Sequence, residues 1–290
     1  MLPELGAGLA RFDLIDRGGK MPIFRSCDSP AFDRPFELAC INLIPWSNRI
    51  SGGGFTFQGT YFPLQPNVPN QPCAVHGNAF SSRWSVLEAT KTSVVLTMTS
   101  FGPEPFRYHA RLRYTLRHSA MQMYVSVTNL SRFRLPYGIG FHPWLPRTPD
   151  TLLKASAVSM WLPNEAMLPK QRVPVSMYPE WNFEGGARLP RGFISRWFDG
   201  WAGEATIAWP SRNVTLRCQA SSELARFILY SPSEDAGFFC FEPVSHAVDA
   251  HNLPPNPEFH GLRILAPGAV MAASCTFTVE RYQATDCPLS

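Results

Sequence analysis

The sequence predicts an all-β protein, an antiparallel sandwich or barrel, and three observations carry that prediction. The 28 prolines and 20 glycines punctuate the chain so often that long helices have almost no room. Between the breaks lie short runs with period-two alternation. No helical periodicity separates these runs, which disfavours parallel βαβ units.

In chain order, 37–44 is a mostly apolar run, and 55–58 is a short one with glycine on both sides. Segments 83–88 and 93–100 follow. The clearest strand is 107–117, where Tyr108, Ala110, Leu112, Tyr114 and Leu116 alternate with Arg107, His109, Arg111, Arg113, Thr115 and Arg117. That pattern makes one apolar face and one basic, solvated face. His118-Ser119-Ala120 then leads into 121–128, a hairpin partner. Further strands are expected at 137–141, 152–160, 204–209, 213–219, 225–230, 237–241, 260–265 and 270–279. With no internal repeat and no low-complexity linker, the chain reads as one domain over 1–290. The proline-rich stretches 62–72 and 162–190 read as long surface loops, of the kind that shape a binding site.

Composition narrows the function. Hydrophobic residues make up 45% of the 290 and charged residues 17%, as in a globular protein that buries a sizeable core. The net charge of +4 is spread out, without the basic tract that nucleic-acid binding usually shows. No apolar segment approaches the length of a membrane span, and the first nineteen residues have no signal-peptide pattern. Seven scattered cysteines without a Cys-x-x-Cys pair point to a reduced, cytoplasmic protein.

Two segments attract chemistry. Phe238-Phe239-Cys240-Phe241-Glu242-Pro243 and Tyr137-Gly138-Ile139-Gly140-Phe141-His142-Pro143-Trp144 each carry an apolar run into one titratable group followed by proline. Glu242 and His142 are thereby candidates for a base and an acid aimed at one small substrate. Arg49, in Pro45-Trp46-Ser47-Asn48-Arg49-Ile50, and His76, in Val75-His76-Gly77, add two fixed donors, a set that suits a polyhydroxylated ligand. Trp46, Trp144 and Trp201 lie closest to these motifs and are candidates for sugar stacking. Gly-x-Ser-x-Gly, Walker and His-Glu-x-x-His motifs are absent, and Gly138-x-Gly140 lacks the third glycine of a dinucleotide site. His246, Asp249, His251 and His260 fall within fifteen residues, but in no recognisable ligand spacing, so neither a metal nor another cofactor is expected.

Taken in order, these segments resemble the aldose 1-epimerase (mutarotase) family, together with Gly200-Trp201-Ala202-Gly203, Ala208-Trp209-Pro210, Val244-Ser245-His246 and Leu265-Ala266-Pro267-Gly268. The likeness covers nearly the whole chain and is greatest to a bacterial branch of uncharacterised members. It implies a large antiparallel β-sandwich with a monosaccharide site on a concave sheet face, in a monomer or homodimer. It also implies that Glu242 is the base, His142 the acid, and Arg49 and His76 the sugar-binding donors; in those roles Glu242 is expected to be ionised at rest and His142 protonated or hydrogen-bonded so that it can donate. One position departs from the pattern. The family places a substrate-binding Asp in a Leu-Asp-x-x-Phe segment, where this chain reads Ile194-Ser195-Arg196-Trp197-Phe198-Asp199, putting Ser195 in its place. Two alternatives accompany the mutarotase reading. One is a hexose 6-phosphate substrate held by Arg132, Arg134 or Arg196, and the other is a sugar-binding domain without activity.

Overall fold

A computed structural model of the chain describes residues 1–17, 19–27 and 34–282. Two large antiparallel sheets dominate it. One has nine strands, ordered in space Phe183–Arg188, Leu152–Ala155, Glu204–Trp209, Val214–Ala220, Val270–Arg281, Ala120–Asn129, Tyr108–Arg117, Ser93–Ser100 and Ser85–Ala89. The other has seven: Pro169–Pro174, Ser159–Pro163, Ile194–Asp199, Arg226–Ser231, Phe238–Val244, Gly140–Pro146 and Cys40–Leu43. Among the described residues, helix is confined to five 3₁₀ turns of three residues each.

Alternation along the strands sorts side chains between two apolar clusters. Leu112, Val125, Leu216 and Phe277 of the larger sheet share one buried cluster with Phe141, Phe198, Phe227, Leu229, Phe239 and Phe241 of the smaller. This is the core of a sandwich. The intervening residues of the smaller sheet, Trp144, Trp161, Trp197, Ile228, Cys240 and Val244, belong to a second cluster on its other face. Because side chains alternate with period two, Glu242 and His142 fall on that second face as well.

The Tyr108–Arg117 and Ala120–Asn129 hairpin pairs as its alternation requires, Leu112 opposite Val125, although Leu116 is half exposed near the turn. Three expectations need correction. The stretch 162–190 is not a surface loop, since it contains the strands Pro169–Pro174 and Phe183–Arg188. Pro163, Pro169 and Pro174 stand at strand ends and Pro179 opens a 3₁₀ turn, and both strands are sheet edges, where a missing N–H is tolerated. The run 152–160 divides into two strands that enter different sheets. The segments around His142 and Glu242 do not end at their prolines. Gly140–Pro146 passes through Pro143, and Phe238–Val244 through Pro243. The register between them lapses only between Gly140↔Val244 and Trp144↔Cys240, where each strand carries a proline that has no N–H to give.

The described cysteines 27, 40, 73, 218, 240 and 275 are free and buried, and Cys287 lies outside the described residues. No helix among the described residues is long and apolar enough to cross a membrane.

Candidate active site

The two central strands of the smaller sheet bring the acid and base candidates together. Gly140 pairs with Val244 and Trp144 with Cys240, so His142 falls opposite Glu242 on the same face. His142 Nε2 stands 3.3 Å from Glu242 Oε1, and both side chains are buried. Their remaining polar atoms, His142 Nδ1 and Glu242 Oε2, have no hydrogen-bond partner among the described residues. The indole of Trp144 stacks on the His142 ring with centroids 4.0 Å apart, which fixes the imidazole plane.

Burial disfavours both charges. Desolvation raises the Glu242 carboxyl from 4.5 to about 8, with Arg49 pulling only partly the other way. The His142 imidazole is pushed well below its ordinary value by burial and then by His76. The pair therefore holds its proton on the carboxyl, so Glu242 is not ionised at rest as its role as base led one to expect. A buried low-dielectric pair favours a neutral acid beside a neutral base over an ion pair that lacks further hydrogen bonds.

Arg49 and His76 reach the site from loops outside the large sheets. Arg49 pairs with Val75 in a two-strand ladder, and its guanidinium is held by Asn48 and Gln71 side-chain oxygens. His76 has a positive φ of 61°, and Gly77 after it has a φ of 67°. A Cβ on Gly77 would stand 2.0 Å from the Ile44 carbonyl oxygen, so only glycine permits this approach. The Asn48 backbone N–H donates to His76 Nδ1 at 3.0 Å. With the ring neutral, lowered to about 3 mainly by burial, the His76 proton sits on Nε2 as a fixed donor. Asn67 brackets the same residue through hydrogen bonds to Val75 N, Val75 O and Gly77 O.

Arg49, His76, His142, Trp144, Ser195 and Glu242 all line one cleft of about 360 Å³. Its other walls include Arg25, Phe36, Asn48, Gln71, Met167, Phe193, Tyr230 and Phe238, which sequence reasoning missed. Strand parity would have found Phe238, since it lies four residues before Glu242. Tyr230 pairs with both Ser195 and Cys240 and extends the same face. Arg25 carries no local signal. It arrives by tertiary packing, donating to the Phe36 and Leu38 carbonyls and lying over the Trp144 and Phe238 rings. A larger groove of about 630 Å³ elsewhere is lined by none of the buried histidines.

Other candidates lie away from the cleft. Asp199 does not take over the position of Ser195: it is buried, accepting from Trp161 Nε1 and paired with Arg226 and Arg172. Trp46 and Trp201 are core residues. Arg132, Arg134 and Arg196 do not line the cleft, and Arg196 instead lies over the Trp181 ring. In the histidine-rich segment, His246 Nε2 accepts from Ser47 N–H and Asp249 accepts from the Ser51 N–H and hydroxyl. His251 and His260 each bond a proline carbonyl. These four groups knit loops together and do not converge.

Comparison with known proteins agrees with this architecture. The chain is 30% identical over 289 residues to the uncharacterized protein YphB of Escherichia coli K12, covering 95% of this chain and 98% of that one. A crystal structure of an E. coli K12 protein assigned provisionally as an aldose 1-epimerase matches with a TM-score of 0.88 and 28% identity, over 96% of this chain and 94% of that one. A galactose mutarotase-like protein from Clostridium acetobutylicum shares the fold, with a TM-score of 0.84 at 20% identity over 97% and 91% of the two chains. The aldose 1-epimerase family profile matches residues 1–278. This chain belongs to the aldose 1-epimerase family.

Proposed function

We propose that the chain interconverts the α and β anomers of an unphosphorylated aldohexose by acid–base ring opening, with Glu242 and His142 as the proton-transfer pair. The observation that carries this reading is their buried 3.3 Å contact on the floor of a cleft lined by hydroxyl-binding donors. A pure binder has no use for a carboxyl buried against an imidazole, since burying polar groups without full hydrogen bonding costs stability.

The pair carries one proton throughout. Sugar binding supplies what the ion pair lacks: the C1 hydroxyl donates to Glu242, and the ring oxygen accepts from His142. The proton then passes from the Glu242 carboxyl to His142. The Glu242 carboxylate removes the C1 hydroxyl proton, the bond from C1 to the ring oxygen breaks, and that oxygen takes the proton from His142. Ring opening thus returns the pair to its neutral form beside an open-chain aldehyde. Rotation about C1–C2 and the reverse steps give the other anomer. Arg49 and the His76 Nε2–H hold hydroxyls, Trp144 keeps the imidazole in plane, and Ser195 contributes a neutral hydroxyl. The three arginines weighed as a phosphate clamp lie outside the cleft, and the two that line it already donate within the protein, Arg25 to the Phe36 and Leu38 carbonyls and Arg49 to Asn48 and Gln71, which supports an unphosphorylated sugar.

Polarimetry on freshly dissolved α-aldohexoses tests the proposal. Acceleration proportional to protein concentration is expected, and failure to accelerate any common aldohexose would discard it.

A further inference from the structure

We propose that His142, Cys240 and Glu242 form a binding site for a thiophilic divalent cation of the zinc class. A ligand nitrogen of His142, the Cys240 thiol and a carboxylate oxygen of Glu242 lie within 4.8 Å of one another, and all three residues are buried. Tetrahedral zinc with bonds of about 2.0–2.3 Å spaces its ligands about 3.5 Å apart, so small side-chain rotations close the set. An independent observation points to a ligand here. Glu242 Oε2 is buried without a partner on the carboxyl whose other oxygen meets His142 Nε2, and an unpaired polar atom of this kind is costly to keep.

The sheet builds the constellation. Cys240 lies two residues before Glu242 on the same face, with Trp144 opposite Cys240 and His142 opposite Glu242. Imidazole, thiolate and carboxylate are a zinc-type donor set, and three protein ligands leave a fourth position open; His142 and Glu242 line the cleft, whereas Cys240 is fully buried. Burial and then Glu242 push the Cys240 thiol well above its ordinary value, with Arg25 pulling the other way, so the thiolate forms only with the ion that it binds; thiolate and carboxylate then cancel the charge of a divalent ion. A bound ion engages Glu242 and His142 and so stops proton transfer to sugar. That inhibitory consequence rests on the mutarotase reading, whereas metal binding itself does not.

Titration of metal-free, full-length protein with Co²⁺ tests the site. Four-coordinate cobalt bonded to a thiolate shows intense visible bands and a near-ultraviolet charge-transfer band. Both are expected to saturate at one equivalent, to be displaced by Zn²⁺ and to vanish in Cys240→Ser. Zn²⁺ is expected to slow anomer exchange, with half-inhibition needing at least about tenfold more ion in Cys240→Ser, since even outer-shell changes cost that much. No thiolate band in the wild type, or an unchanged band in Cys240→Ser, overturns the proposal. If Cys240→Ser does not fold, loss of the visible bands in Glu242→Gln supports the site and their full retention overturns it. Cobalt binding without activity on any aldose would keep the metal site and discard the enzymatic reading. Activity without cobalt binding would do the reverse.

Discussion

Replacing Glu242 by Gln separates what the carboxyl does for catalysis from what it costs the fold. The substitution keeps shape and removes the titrating proton. The carboxyl holds that proton up to pH about 8 in the native protein, against 4.5 in the unfolded chain. Between those values the native state binds more protons than the unfolded one, so this group's contribution to stability falls as pH rises through the window. Holding the proton from 4.5 up to about 8 corresponds to at most roughly 5 kcal/mol, since the group lines a cleft. Urea unfolding followed by tryptophan fluorescence, with EDTA present, measures the effect. The difference in unfolding free energy between Glu242→Gln and the wild type is expected to move in favour of the variant by several kcal/mol between pH 5 and pH 9. Anomer exchange is expected to fall at least about a hundredfold in the same variant. A stability difference independent of pH would refute the buried, proton-holding carboxyl.

Three other predictions follow from the same geometry. Anomer exchange by the metal-free wild type declines above pH about 8, where Glu242 loses the proton the pair shares; a rate that rises through pH 9 would contradict this. Four buried histidines stay neutral in the fold, His76 and His251 lowered to about 3, His246 to about 4 and His142 well below its ordinary value, each chiefly by burial. The unfolded chain protonates them below pH 6.5, so stability present above that pH is lost as pH falls, by roughly 5 kcal/mol per unit once the slope is fully developed; equal unfolding midpoints at pH 6.5 and 5 would refute it. Asn67→Ala frees the backbone on both sides of His76 and is expected to raise KM several-fold with a smaller change in kcat, checked by steady-state polarimetry, whereas unchanged KM would remove Asn67 from the positioning of His76.

Strand alternation made the sandwich legible. The 107–117 run shows its faces in the residue order alone, and the same parity puts Cys240, Glu242 and Val244 on one face of Phe238–Val244. Proline was the misleading signal. Read as a breaker, it hid the edge strands within 162–190 and suggested that Glu242 and His142 stand at strand ends, whereas Pro143 and Pro243 sit inside strands whose mutual ladder lapses beside them. The contact between His142 and Glu242, a hundred positions apart, depends on register, which no local pattern encodes. Their protonation was equally hidden, because it follows from burial rather than residue type. Arg25 enters the cleft through ring and carbonyl contacts made in three dimensions, and Asp199 is withdrawn from it by two arginines and an indole.

In the proposed function the touching pair Glu242 and His142 moves protons on and off a sugar's anomeric centre. Two-dimensional exchange NMR on an equilibrated aldohexose, with metal-free protein at pH 7, reads that chemistry without a net reaction. Cross-peaks between the α and β C1 positions are expected to grow with wild-type protein and to vanish in both Glu242→Gln and His142→Gln. Cross-peaks of wild-type intensity in either folded variant would contradict that function.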